Sequence, residues 1–99
     1  MKARKWTITL HRHEENLCGL RCGRDLKTFN PSHAFAPTVD NVKRAIRQLF
    51  PGYVPNETYW TIKEQIADSL ECGYFSIDVL NINDPGEEFC GYCVGFMEA

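Results

Sequence analysis

A chain of 99 residues, 43% of them hydrophobic, can bury one core and not two, so a single domain over residues 1–99 is expected. The net charge of −2 and the pI of about 5.9 lack the basic excess that phosphate contact requires, which argues against a dedicated nucleic-acid binder. Charge is uneven along the chain: residues 1–50 hold ten Lys and Arg against four Asp and Glu, residues 51–99 one against nine. That pattern suits either one half folding on the other or a charged interaction face.

No stretch approaches the roughly 18 apolar residues of a membrane span, and the basic start MKARKWTITLHRHEE has no apolar run behind it. A cytoplasmic protein without membrane attachment is therefore expected. In a reducing compartment the five cysteines, Cys18, Cys22, Cys72, Cys90 and Cys93, are read as buried thiols or metal ligands, not disulfides.

In chain order, Lys5 to His13 alternates, with Trp6, Ile8 and Leu10 on one face and Thr7, Thr9, His11 and His13 on the other, the pattern of a half-buried strand. Leu17, Cys18, Leu20 and Cys22 begin a second strand after a polar break, weakened by Gly19 and Gly23. From Arg24 to Pro37 no period survives, and Asn30-Pro31 and Ala36-Pro37 punctuate a predicted loop. Val39, Val42, Ala45, Ile46 and Leu49 then form one helical stripe, capped by Thr38 and stopped by Pro51-Gly52. A second helix begins at Asn56 or Thr61. Thr61 and Glu64 have the spacing of a capping box, Ile62, Ile66 and Leu70 form the buried face, and Gly73 ends the helix. Phe75, Ile77 and Val79 mark a third strand, Asp84-Pro85-Gly86 a turn, and Glu88 to Phe96 a fourth strand.

The order β-β-α-α-β-β predicts an α+β fold, an antiparallel sheet of about four strands with both helices packed on one face. The terminal strands are expected near each other, and Tyr53 to Trp60 is an alternative fifth strand at an edge.

Three constellations can carry chemistry. Cys18, Cys22, Cys90 and Cys93 form two pairs beside glycines, the donor set of a structural zinc site, and zinc is the one cofactor implied. The 67 intervening residues and the opposite parity of Cys90 and Cys93 on a straight strand favour buried thiols instead, and a redox role is a third reading of the same pairs. His11 and His13 share a strand face and can reach one metal with Glu14 or His33, while a Cys22–His33 catalytic pair is open to any fold that brings them together. Lys43, Arg44 and Arg47 cluster on the first helix and Glu64, Asp68 and Glu71 on the second, as solvated faces or docking surfaces.

No phosphate loop, G-x-S-x-G or H-E-x-x-H motif is present. The expectation is a small non-enzymatic module that binds a protein partner through its charged helix faces. That profile is shared by phage or mobile-element accessory proteins that inhibit host enzymes, such as anti-CRISPR proteins. A module clamped by a four-cysteine zinc site and a small metal-dependent enzyme using His11 and His13 are the alternatives.

Overall fold

The computed structural model describes residues 3–15, 21–30, 34–58, 60–83 and 91–98, with the backbone alone at residues 14, 15, 21 and 22. The elements are β1 (Arg4–Glu15), β2 (Arg21–Phe29), β3 (Ala34–Phe35), α1 (Val39–Leu49), β4 (Tyr53–Pro55), α2 (Ile62–Ser69), a single 3-10 turn (Leu70–Cys72), β5 (Tyr74–Asn81) and β6 (Gly91–Glu98).

The α+β class and antiparallel pairing are as expected, but the sheet has six strands and not four. Five run in the order β2-β1-β6-β5-β4, and β3 pairs with β1 on the same side as β2. The segment predicted to be a loop from Arg24 accounts for much of the difference. Ile8 lies opposite Phe29 and Arg4 opposite Phe35, so β2 and β3 follow one another along the same side of β1, the first ending at Phe29 and the second beginning at Ala34. The period is lost because the register slips between Leu10 and His11, where β2 carries the extra residue Leu26. A bulge of this kind reverses the facing of every later side chain on its strand. Tyr53–Pro55 is an edge strand, as in the alternative reading, and its proline sits where an edge tolerates a missing N–H.

The last strand, β6, lies between β1 and β5, pairing Ile8 with Phe96 and Leu10 with Val94 on one side and Ile77 with Val94 on the other. One face of the sheet carries Trp6, Ile8, Leu10, Phe75, Ile77, Val79, Val94 and Phe96, all buried, and both helices pack into the same core. The aromatic centre is a stack of Phe75 on Phe96 with centroids 4.6 Å apart, and Trp6 meets Phe75 edge-on at 5.2 Å.

Each helix buries the stripe read from its sequence. Val42 and Ile46 of α1 are fully buried, and the Thr38 hydroxyl accepts from the Asn41 amide at 3.3 Å. In α2, Ile62 and Ile66 face the core, and Thr61 and Glu64 exchange the two bonds of the capping box. Gly73 closes the following turn with φ 80°, a conformation that a side chain would strain. The Asp84-Pro85-Gly86 turn and Cys90 lie outside the described residues. Among the described residues no helix is long and apolar enough to cross a membrane.

Gln65 is the one buried polar residue described and joins α2 to the sheet. Its side-chain carbonyl accepts from the Asp78 amide at 2.7 Å, and its Nε2 donates to the Trp60 carbonyl at 2.9 Å. The amide of Asp78 points away from β6 where β4 has already ended, so Gln65 satisfies a donor that no strand reaches.

Because Phe75 is fully buried between Trp6 and Phe96, Phe75→Ala is expected to lower unfolding free energy by about 3–5 kcal/mol, measured by urea titration at constant pH.

Candidate functional site

The helices cover one face of the sheet, and the opposite face holds the densest group of reactive side chains. Register places them in rows. His11 of β1 lies opposite Cys93 of β6, which lies opposite Asp78 of β5, and the next row is Thr9, Gly95 and Ser76. On the other side of β1, Asp25 of β2 pairs with His11 and Gly23 with His13.

Two polar pairs result. His11 Nδ1 lies 2.7 Å from Asp25 Oδ1, and His13 Nε2 lies 3.1 Å from Cys93 Sγ. The imidazoles touch edge to face with centroids 4.8 Å apart. Gly23 makes this possible, since a methyl group there would overlap the His11 ring and crowd the Arg12 carbonyl at 2.7 Å. Cys93 is buried, with 8% of its surface exposed, although no helix covers it. Burial pushes its thiol pKa up, a hydrogen bond from Ser76 pulls it down, and the charges of Asp78 and Asp25 add to the rise.

A groove of about 300 Å³ runs from this cluster across the face, lined by Thr7, Thr9, Tyr74, Ser76, Gly95 and Met97 among others. Gly95 supplies its floor: a Cβ there would meet nothing closer than the Thr9 carbonyl at 4.0 Å.

A second groove, of about 320 Å³, lies where α2 meets the edge of β5 and is lined by Trp60, Glu64, Gln65, Asp68, Ser69, Tyr74, Ser76 and Asp78. β4 pairs with β5 over Val79–Asn81, and just beyond it the Asp78 carbonyl accepts from the Asn56 amide at 2.7 Å while its amide donates to Gln65, so the edge of β5 is open from Tyr74 to Ile77. Among the described residues, the ion pairs are Arg4–Glu98 at 3.1 Å and His11–Asp25, and neither neutralises Glu64, Asp68 or Asp78. Trp60 is 59% exposed at the mouth.

The residues expected from sequence are distributed as follows. Glu64 and Asp68 share the second groove, while Glu71 falls in the 3-10 turn beyond α2, exposed and outside the groove lining. Lys43, Arg44 and Arg47 are exposed on α1, and Arg44 borders a separate cleft with Phe29 and Phe35. Of the four-cysteine set, Cys18, Cys90 and the Cys22 side chain lie outside the described residues, as does the Cys22–His33 pair. Cys93 is turned toward His13 and Ser76. His11 and His13 do share a face, but His11 leans to Asp25 and His13 to Cys93. Among the described residues no three His, Cys, Asp or Glu side chains converge to hold a metal ion.

Sequence reasoning missed the His13–Cys93 contact, Asp25, Ser76 and the aromatic rim of the acidic groove. The one available signal was the shared parity of His11 and His13, since the parity of Cys93 depends on where β6 begins.

No family model, curated protein or solved structure matches the chain.

Two outcomes are expected of this face. Gly23→Ala is expected to displace the His11 ring from Asp25, read as a shift of the His11 imidazole NMR signals while the methyl signals of Ile46 and Ile77 stay in place. The second concerns alkaline stability. The folded pKa of Cys93 lies above its unfolded value, so above the ordinary thiol pKa of about 8.5 the unfolded state binds fewer protons. Stability conferred by the protonated thiol is present below that pH and is lost as pH rises toward the folded value. In urea titrations from pH 7 to pH 10, Cys93→Ser is expected to lack this part of the decline.

Proposed function

We propose that the protein is a binding module that docks a basic, extended polypeptide segment against the free edge of β5. The observation that carries this reading is the placement of Glu64, Asp68 and Asp78 with Trp60 and Tyr74 around one groove, beside backbone that has no strand partner. An added strand pairs its own amides and carbonyls with such an edge. Its arginine or lysine side chains meet the carboxylates, and the exposed rings of Trp60 and Tyr74 accept the same cations on their faces. Phosphate would be repelled from the groove, so the partner is a protein and not a nucleic acid.

A basic segment exposed on a protein is often one that contacts phosphate, and covering it excludes the nucleic acid. Docking of this kind supports the inhibitory role of a phage or mobile-element accessory protein of the anti-CRISPR type. The basic residues Lys43, Arg44 and Arg47 on α1 form a second charged face available to the same partner.

The test uses a labelled peptide of alternating arginine and valine, titrated with the full chain and followed by fluorescence anisotropy. Asp68→Lys with Asp78→Lys is expected to weaken binding at least about tenfold and to leave the melting temperature near that of the native protein, because both side chains are exposed and neither caps a helix. A peptide with proline at the central edge-facing position is expected to bind as poorly. Equal affinity of the charge-reversed and native proteins would remove this reading.

A further inference from the structure

We infer that the His13–Cys93 pair is a nucleophile and its general base, placed to transfer the acyl group of an apolar carboxylic ester to water through the groove on the open sheet face. This goes beyond the docking role and rests on a different reactive pair, although Tyr74 and Ser76 border both grooves. Three observations carry it: the 3.1 Å approach of His13 Nε2 to the sulfur, the bracing of His13 by a second imidazole that Asp25 holds, and a groove of about 300 Å³ that opens beside the thiol. A nucleophile within hydrogen-bond reach of a base that is itself held in place is the arrangement such catalysis requires.

The groove fits the substrate class. Its walls beyond the thiol are apolar, with Met97 63% exposed beside Tyr74, and Gly95 leaves room for an acyl chain between Thr9 and Ser76. β6 lies between β1 and β5, so His13 and Ser76 flank the sulfur from opposite sides. The hydroxyl of Ser76, on the strand next to that of Cys93, is a neutral donor for the oxygen that gains charge when the carbonyl is attacked.

The chemistry balances on these groups. Sγ attacks the ester carbonyl carbon and forms a C–S bond as its proton passes to His13 Nε2. The tetrahedral intermediate then collapses, the C–O bond breaks, and His13 returns the proton to the leaving alcohol. Water, deprotonated by the same imidazole, attacks the thioester; the C–S bond breaks, the carboxylic acid leaves and the thiol is restored. Nothing is oxidised or reduced. Burial holds the resting sulfur as a neutral thiol, so proton removal must accompany attack, and the rate follows the base. The other titratable groups described around the pair are His11 and Asp25 on the β2 side and Asp78 on β5.

The experiment treats the full chain with p-nitrophenyl butyrate, recording p-nitrophenolate release and locating the acyl group by peptide mass mapping. The expected result is a burst of product with one butyryl group on Cys93, ahead of the exposed Cys72. Cys93→Ser should lose the burst, and His13→Gln should slow acylation about 100-fold at pH 7. The native rate should rise as an imidazole loses its proton and level off, whereas the His13→Gln rate should climb only above the ordinary thiol range, because burial raises the Cys93 pKa. Gly95→Val fills the groove on a strand that favours valine, and should abolish the burst without loss of melting temperature. Acylation spread over the cysteines, or a rate at Cys93 indifferent to His13→Gln, overturns the proposal.

Discussion

The structure depends on the insertion of β6 between β1 and β5. The chain must bring residues near its two ends into register before the middle of the sheet exists: Trp6 pairs with Glu98 and His13 with Gly91. Once it does, Val94 and Phe96 complete the core under both helices, and Phe96 stacks on Phe75. The same pairing places Cys93 against His13 on the reverse face. Core and candidate chemistry therefore come from alternate residues of one strand, and neither survives a register slip of a single residue. Pairings this distant in sequence carry a loop-closure cost that local contacts do not, so the stacked aromatics of the centre must offset it.

Local features were legible wherever a period or a cap was intact. The stripe of α1, the Thr61 and Glu64 capping box, the left-handed Gly73 and the alternation of β1 and β5 all appear where residue spacing placed them. What failed was β2 and β3. Leu26 inserts a bulge, and pairing with β1 stops at Phe29 and resumes at Ala34, so the alternation that marks a strand is broken twice along one side of β1. Both faces of β2 are also largely exposed, which removes the apolar signal even between the breaks. Strand order was beyond local reading for a different reason: nothing in the composition of β6 distinguishes a central strand with a glycine at its middle from an edge.

The candidate sites show the same division. The His11 and His13 pair was visible because two residues of one strand share a face whatever the fold. Their partners were not, since Asp25 reaches His11 only because the bulge shifts it by one position, and Cys93 reaches His13 only through the register of β6. The acidic residues of α2 were likewise visible as a helix face, yet Glu71 separates from Glu64 and Asp68 because the helix tightens to a 3-10 turn after Ser69. Tyr74 and Asp78 join the groove from β5, a fact that belongs to topology and not to helix periodicity.

The two grooves meet on β5. Tyr74 and Ser76 line both of them, because the backbone of these residues faces the open edge while their side chains face the open sheet surface. A strand added at the edge would extend that surface beside Ser76, on the strand next to that of Cys93. The proposed edge site and the His13–Cys93 pair are therefore parts of one surface that meets at Tyr74 and Ser76.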